Sequence, residues 1–238
     1  MKKTAVLITG AAKNIGKNIA LTLAKDGYDI ALHYHHSEAA ALETAATIRA
    51  YQVVCQIFQA DLSQESELFR LLPRVRESFD DVGVLINNAS VFKKAPQKDT
   101  EPGEFDRHVA INLKAPYFLM QDFARHCKKG HIINLLDTKI ASRTFSSSAY
   151  MLSKHALASC TKMAACEFAP NIRVNGIAPG TVLPPPGKDE EYLRQRSART
   201  LLQTSGSLEN ISHAVTFLLA NPFITGQIIF VNGGEDIP

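Results

Sequence analysis

The sequence predicts an α/β fold: one domain built on a doubly wound parallel sheet flanked by helices. Three observations predict it. Short, almost wholly apolar runs such as Thr4–Thr9 (TAVLIT) and Val82–Asn87 (VGVLIN) alternate with longer amphipathic segments along the chain. Runs without a polar face are strands covered on both sides, and parallel strands need helical crossovers. The first run passes through a glycine turn straight into a helical pattern. No linker, internal repeat or low-complexity tract divides the 238 residues, a length that one core accommodates.

Each element has its own justification. Thr4–Thr9 is the first strand. Gly16–Lys25 is a helix, with Ile19, Ala20, Leu23 and Ala24 on one face. Asp29–Tyr34 (DIALHY) is a strand, and Ser37–Ala50 a helix with Ser37 as N-cap. Val53–Gln59 is a strand. Ser63–Phe79 is a helix opened by Ser63, with Glu65 and Glu67 in its first turn. Val82–Asn87 is the fourth strand, followed by a loop rich in Lys, Pro and Asp over Lys93–Gly103. Glu104–Cys127 is a long helix in which Pro116 forces a kink or a shift of register. His131–Leu136 is a strand, Ser147–Phe168 a helix and Ile172–Ile177 a strand. A Pro-rich segment precedes the helix Ser207–Ala220 and the last strand, Gln227–Val231.

Composition excludes several classes. Hydrophobic residues make up 45% and charged residues 21%, the balance of a soluble globular chain. The net charge of +3 is too small to imply a nucleic-acid partner. Cys55, Cys127, Cys160 and Cys166 form neither a C-x-x-C pair nor a Cys/His metal spacing, so buried thiols in a reducing compartment are expected. The apolar run Ala5–Ile8 is too short for a signal peptide, and Gly10 ends it. No run approaches the ~18 apolar residues of a membrane span. A cytoplasmic protein is expected.

In open parallel sheets, ligands bind beyond the carboxyl ends of the strands, where strand order reverses. The residues directly after each strand therefore carry the information. After the first strand comes Gly10-Ala11-Ala12-Lys13-Asn14-Ile15-Gly16. Gly10 permits a tight turn, Gly16 permits close packing of helix on sheet, and the helix N-terminus suits a pyrophosphate. After the second strand an NAD site carries an acid, ~20 residues beyond the glycines, for the ribose 2′-OH. This chain has His33-Tyr34-His35-His36-Ser37 there instead, with Lys13 in the adjoining turn. Donors without an acid suit the 2′-phosphate of NADPH. A metal cluster of these histidines is disfavoured, because no carboxylate or cysteine joins them. Asp61 and Leu62 after the third strand are placed to meet adenine. Asn88, Ala89 and Ser90 after the fourth offer small residues beside ribose and nicotinamide.

Tyr150 and Lys154 lie four residues apart, one turn along a helix that Ser146–Ser148 would cap. An ammonium beside a phenol lowers its pKa from ~10 and makes Tyr150 a usable proton donor. Asp137 precedes this pair, after the fifth strand.

Thr9-Gly-x3-Asn14-x-Gly16, Asn87-Asn88-Ala89, Asn112, Tyr150-x3-Lys154 and Pro179-Gly180 together resemble the short-chain dehydrogenase/reductase family over essentially the whole chain. The resemblance implies a seven-stranded Rossmann sheet, an NAD(P) cofactor and a catalytic Asn-Ser-Tyr-Lys set. By position these are Asn112, Asp137, Tyr150 and Lys154, with Asp137 where most relatives have Ser. Asp137, His33–Ser37, Thr9–Lys13 and Asn87–Phe92 resemble the pteridine reductases and the related dihydromonapterin reductases. That narrower resemblance implies Phe92 stacking on a pterin and Ser90 touching both cofactor and substrate. Asn14 and His36 stand where those enzymes usually have Arg. Asn14 is expected to weaken a cofactor-phosphate contact, and His36 to alter NADPH affinity or its pH dependence.

The chemistry agrees. A ketone reductase benefits from a neutral hydroxyl, since a carboxylate repels the developing oxyanion. A pterin offers N–H groups that Asp137 can accept and a ring nitrogen that needs a proton. The expected roles follow. Lys154 binds the nicotinamide ribose and lowers the Tyr150 pKa, Tyr150 and Asp137 deliver the proton, and Asn112 holds a water in the path. Pro179 and Gly180 border the cofactor. The competing role for Asp137 is a helix cap or an ion pair with Lys139 or Arg143. Thr181–Gly206 is expected to form a substrate lid, stiffened by Pro184-Pro185-Pro186, with a helix starting at Asp189 and Leu183 lining the pocket. Arg194, Arg196 and Arg199 read as a solvated face in preference to a site for an anionic tail. The family implies a homodimer or homotetramer, with contacts through the Ser147–Phe168 helix and the C-terminal region. The alternatives are a carbonyl or 3-oxoacyl-thioester reductase of the same family, and a nucleotide-sensing module, which would be expected to lose Tyr150 or Lys154.

Overall fold

Strands β1 (Ala5–Ile8), β2 (Asp29–Tyr34), β3 (Cys55–Gln59), β4 (Val82–Asn87), β5 (Gly130–Leu135), β6 (Ile172–Pro179) and β7 (Ile228–Val231) form one sheet. Its order is β3-β2-β1-β4-β5-β6-β7, and every pairing is parallel. Strand order reverses between β1 and β4, which opens a crevice at their carboxyl ends. The structure is a computed structural model and describes residues 4–142, 146–184, 187, 189–198 and 200–237. Arg143, Pro185, Pro186 and Arg199 lie outside the described residues.

The helices are α1 (Asn14–Lys25), α2 (Glu38–Arg49), α3 (Glu65–Ser78), α4 (Pro102–Val109), α5 (Ala115–His126), α6 (Ser148–Phe168), α7 (Glu190–Ser197) and α8 (Leu208–Ala220). Alternate strand residues face opposite layers, as the two-residue period of a strand requires. Val6, Ile8, Ile30, Leu32 and Ile86 pack with Ile19, Leu23, Ile48 and Val215 of α1, α2 and α8. Leu7, Leu85, Ile132 and Val174 pack with Leu71, Phe123 and Leu157 of α3, α5 and α6. Burying one such Leu or Ile stabilises by about 1.5–3 kcal/mol, so each strand is pinned from both faces. One polar seam crosses the sheet centre. Asn87 Nδ2 donates to Asn134 Oδ1 (2.8 Å), and Asn134 Nδ2 donates to Thr161 Oγ1 (2.9 Å).

Several local expectations are corrected. Ser63 does not open α3, because its N–H and Oγ both turn back to Asp61 Oδ1, at 2.9 and 2.8 Å. The helix starts at Glu65 instead. Ser37 and Ser147 occupy N-cap positions but make no side-chain cap bond. Pro116 does produce a register shift: a π-helical turn over Ala110–Lys114 joins α4 to α5. Of the cysteines, Cys55 is buried, Cys127 and Cys160 are partly exposed, and Cys166 is exposed; all are free thiols. Among the described residues, no helix is long and apolar enough to cross a membrane.

Candidate active site

The turn after β1 is locked to the end of β4. Thr9 Oγ1 accepts the N–H groups of Asn88 and Ala89, both at 2.9 Å. Asn88 Nδ2 in turn donates to the carbonyls of Thr9 (2.8 Å) and Gly10 (3.0 Å). Gly10 has a φ of +65°, which favours glycine. A Cβ on Gly16 would lie 2.4 Å from the Gly10 carbonyl. Asn14, also left-handed (φ 53°), begins α1. A cleft of about 390 Å³ opens over this turn. Gly10, Lys13, Asn14, Ile15, Gly16, His33, His35, Asp61, Leu62, Asn88, Ala89, Ser90 and Leu183 line it.

The histidine run divides. His33 is 2% exposed. Its Nδ1 accepts the Gly10 N–H at 3.0 Å, so Nε2 carries the proton and donates to the Ala60 carbonyl at 3.0 Å. Burial pushes the imidazole down to about 4. His33 is therefore a neutral wall that joins three strand ends, and it brings no charge to a phosphate. Tyr34 packs into the core and bonds Glu38, away from the cleft. Ser37 and His36 do not line the cleft either. His36 stacks on His35, with ring centroids 3.4 Å apart. His35 Nε2 stands 3.7 Å from Asp61 Oδ2. Within His33–Ser37 the cleft-facing side chains are thus His33 and His35.

Tyr150 and Lys154 lie one turn apart at the start of α6, both buried. The Tyr150 hydroxyl donates to Asp137 Oδ2 at 2.9 Å. Asp137 Oδ1 accepts the Lys139 N–H at 2.8 Å, capping a 3₁₀ turn over Thr138–Ala141. The carboxylate is thus both a cap and a partner of the phenol. Lys154 Nζ donates to the Leu135 carbonyl (2.8 Å) and lies 5.9 Å from the Tyr150 ring centroid. Burial pushes Lys154 down to about 8, against the opposing pull of Asp137. Tyr150 overturns the sequence expectation. Its pKa is raised well above the ordinary phenol value, first by burial, then by the charge and the hydrogen bond of Asp137.

Phe92 is half exposed and meets Tyr150 edge-on, with centroids 4.9 Å apart at 88°. Its loop is held by His108, which has no sequence motif and was missed. The buried imidazole accepts the Lys93 N–H at Nε2 (3.1 Å) and donates from Nδ1 to the Glu104 carbonyl (2.7 Å). Asn112 serves the same loop. Its Oδ1 accepts from Val91 N (2.9 Å) and Ser90 Oγ (3.1 Å), and its Nδ2 donates to the Val91 carbonyl (3.0 Å) and Ser153 Oγ (3.2 Å). The Asn112 side chain is a clamp on the loop that carries Ser90 and Val91.

Gly180, at the end of β6, borders a separate cavity of about 400 Å³ with Val182, Arg196, Asn210 and Glu235. Arg194 pairs with Glu191 in solvent, and Arg196 pairs with Glu235. Asp189 caps α7 by accepting the Tyr192 N–H at 3.2 Å. Among the described residues, no group of three or more His, Cys, Asp or Glu side chains is arranged to hold a metal ion.

A family profile described as enoyl-(acyl carrier protein) reductase matches residues 10–235. The chain belongs to the short-chain dehydrogenase/reductase family. This short-chain reductase is an NAD(P)-dependent oxidoreductase. It is 33% identical over 279 residues to pteridine reductase 1 of Leishmania tarentolae, covering 97% of this chain and 96% of that protein. It is 32% identical over 242 residues to the 3-oxoacyl-(acyl-carrier-protein) reductase FabG of Staphylococcus epidermidis, covering 98% and 99%. The structure of FolM alternative dihydrofolate reductase 1 from Brucella canis, complexed with NADP, matches the short-chain reductase with a TM-score of 0.92 at 32% identity, covering 99% of this chain and 95% of that one.

Proposed function

We propose that this reductase takes NADPH and reduces a dihydropterin or dihydrofolate to its tetrahydro form. The observation that carries the proposal is the bond from the Tyr150 hydroxyl to the Asp137 carboxylate at the strand ends. A carboxylate there opposes an oxyanion but accepts the N–H groups of a pterin. Among the described residues, each Asp137 oxygen has one hydrogen-bond partner, which leaves lone pairs for a ligand.

The cleft fits NADP(H). Gly10 and Gly16 let the turn pack tightly at the α1 N-terminus, whose N–H groups suit a pyrophosphate in the cleft above. Lys13 and His35 line the ribose end, and Asp61 and Leu62 the adenine end. Lys154 would hold the nicotinamide ribose, with Pro179 at the end of β6 beside the ring. The bound nicotinamide supplies a hydride to the carbon of a ring C=N bond. The protein supplies the geometry and the proton for its nitrogen. Phe92 and Ser90 form the wall against which the pterin lies flat. Tyr150, protonated at rest, gives its proton to the ring nitrogen. Asp137 disfavours a lasting phenolate, so Tyr150 takes back a proton from solvent water beside the Asp137 carboxylate. The segment Thr181–Gly206, with α7, acts as the lid, and Leu183 seals the cleft beneath it. Exposed Tyr117, Leu152 and Met163 on α5 and α6 support association as a homodimer or homotetramer.

The test is NADPH oxidation with dihydrobiopterin, dihydromonapterin, dihydrofolate and an acetoacetyl thioester. Turnover of the thioester alone rejects the pterin reading in favour of the FabG-like one, and no turnover favours a sensor. Asp137→Ser is expected to lower pterin turnover by about 10²-fold, and unchanged turnover removes the role given to Asp137.

A further inference from the structure

The turn that follows β7, Asn232–Asp236, reaches the turn that carries Asp137. Asn232 Nδ2 donates to Thr138 Oγ1 at 2.6 Å, across 94 residues of sequence. Its second amide hydrogen goes to Asp236 Oδ1, and its Oδ1 accepts the Gly234 N–H at 3.0 Å. Both donors of the Asn232 amide and one lone pair of its oxygen are engaged. An aspartate there would donate nothing and would face the Asp236 carboxylate. The turn itself is anchored. Gly180 N donates to the Val231 carbonyl at 2.9 Å, Leu202 N to the Gly233 carbonyl at 3.1 Å, and Arg196 pairs with Glu235. A Cβ on Gly180 would lie 2.8 Å from the Asn232 Cα, so the two backbones are in close contact.

Thr138 is 5% exposed and is the first residue of the 3₁₀ turn that Asp137 caps. The bond from Asn232 therefore fixes the residue next to the carboxylate. Among the described residues, no bond within the turn itself does this. Its internal bonds, Ile140 N to the Asp137 carbonyl and Lys139 N to Asp137 Oδ1, would survive rotation of the turn as a body. Asn232 holds the turn at Thr138, and the Leu136 N–H, bonded to the Ile177 carbonyl at 2.7 Å, holds the chain before Asp137.

We infer that Asn232, acting through Thr138, is a positioning residue that aims the Asp137 carboxylate at the Tyr150 hydroxyl. The inference rests on the proposed role of Asp137 in proton delivery. Asn232 touches neither the cleft-lining groups nor Tyr150, so its effect is on the proton step and leaves cofactor affinity alone. Displacing a catalytic group by a fraction of an ångström costs up to about 10²-fold in rate.

The experiment compares wild type, Thr138→Val, Thr138→Ser, Asn232→Ala and Asp137→Ser in kcat and its pH profile for dihydropterin. NADPH affinity is read by fluorescence titration, and folding by thermal melting. Thr138→Val is nearly isosteric and removes the hydroxyl that accepts from Asn232. It is expected to lower kcat by about tenfold and to shift the pH profile, with NADPH affinity unchanged. Thr138→Ser keeps the hydroxyl and is expected to match wild type. Asn232→Ala combined with Thr138→Val is expected to be no worse than either alone. If Thr138→Val keeps kcat and the pH profile of wild type while Asp137→Ser loses activity, the inference fails and the role of Asp137 stands. If Asp137→Ser is as active as wild type, the proposed function fails first. Equal loss in Thr138→Ser and Thr138→Val also overturns the inference, because the effect would then not pass through the hydroxyl.

Discussion

The Tyr150 hydroxyl donates to Asp137 Oδ2 at 2.9 Å, joining the first turn of α6 to a residue just past the carboxyl end of β5. The pairing reverses the electrostatics that Tyr-x3-Lys suggests on its own. Lys154 lies one turn away, yet burial and the carboxylate together keep the phenol protonated. Tyr150 is held as a proton donor rather than poised as a phenolate.

Tyr150→Phe keeps the ring that packs against Phe92 and removes the proton. It is expected to lower turnover by about 10²–10⁴-fold while retaining NADPH affinity. Single-turnover hydride transfer and a binding titration separate the two effects. Loss of cofactor affinity equal to the loss of rate would show that Tyr150 is a binding residue instead.

Lys154 gives a pH prediction with a definite sign. Burial lowers its ammonium from the usual 10.5 to about 8. Below that value the ammonium proposed to hold the ribose is charged, and above it the charge is lost. In the free enzyme, kcat/KM is expected to fall as pH rises through about 8. Lys154→Met should lose activity at every pH. A flat profile up to pH ~10 would contradict the assignment.

His33 and His131 predict acid sensitivity of folding. Burial holds His33 down to about 4 and His131 to about 3, from an ordinary 6.5. Between those values and 6.5 the unfolded chain binds protons that the folded chain does not. Stability is therefore complete above about 6.5 and lost as pH falls toward 4. The His33 part amounts to roughly 3 kcal/mol. Denaturant titrations at pH 7 and pH 5 check this, and His33→Gln should reduce the difference between them. An unchanged difference would mean that His33 is protonated in the fold.

Gly16→Ala tests the cofactor cradle. The added Cβ would meet the Gly10 carbonyl at 2.4 Å and Asn88 Nδ2 at 2.6 Å, both part of the locked turn. The expected cost is about 1–3 kcal/mol of stability and weaker NADPH binding. Thermal melting with and without NADPH reports both. Wild-type behaviour would mean that the turn relaxes freely.

The strands, their order of appearance and the glycine turn were legible because they depend on local pattern. An apolar run bounded by turns is a strand whatever surrounds it, and Tyr150 and Lys154 share a helix face by spacing alone. Element ends were less legible. Ser63 looked like a helix cap, and only the folded chain shows its hydroxyl bound to Asp61. His108 carried no signal, because its importance lies in two bonds to a loop that sequence leaves unplaced.

The sequence by itself determined the parallel sheet, the phosphate turn at Gly10–Gly16, and the presence of Tyr150, Lys154 and Asp137 after the proper strands. Tertiary structure decided what those groups do to one another. Asp137 and Tyr150 are thirteen residues apart, a distance that spacing cannot convert into a contact. The fold converts it into a hydrogen bond in a buried place, and burial with charge sets the protonation state. The same holds for His33 and Asn112. Both looked like groups for a cofactor or a water, and in the fold their polar atoms are taken up by neighbouring backbone and side chains. Residue types and spacing select the chemistry available, while through-space neighbours and the loss of water select which of it occurs.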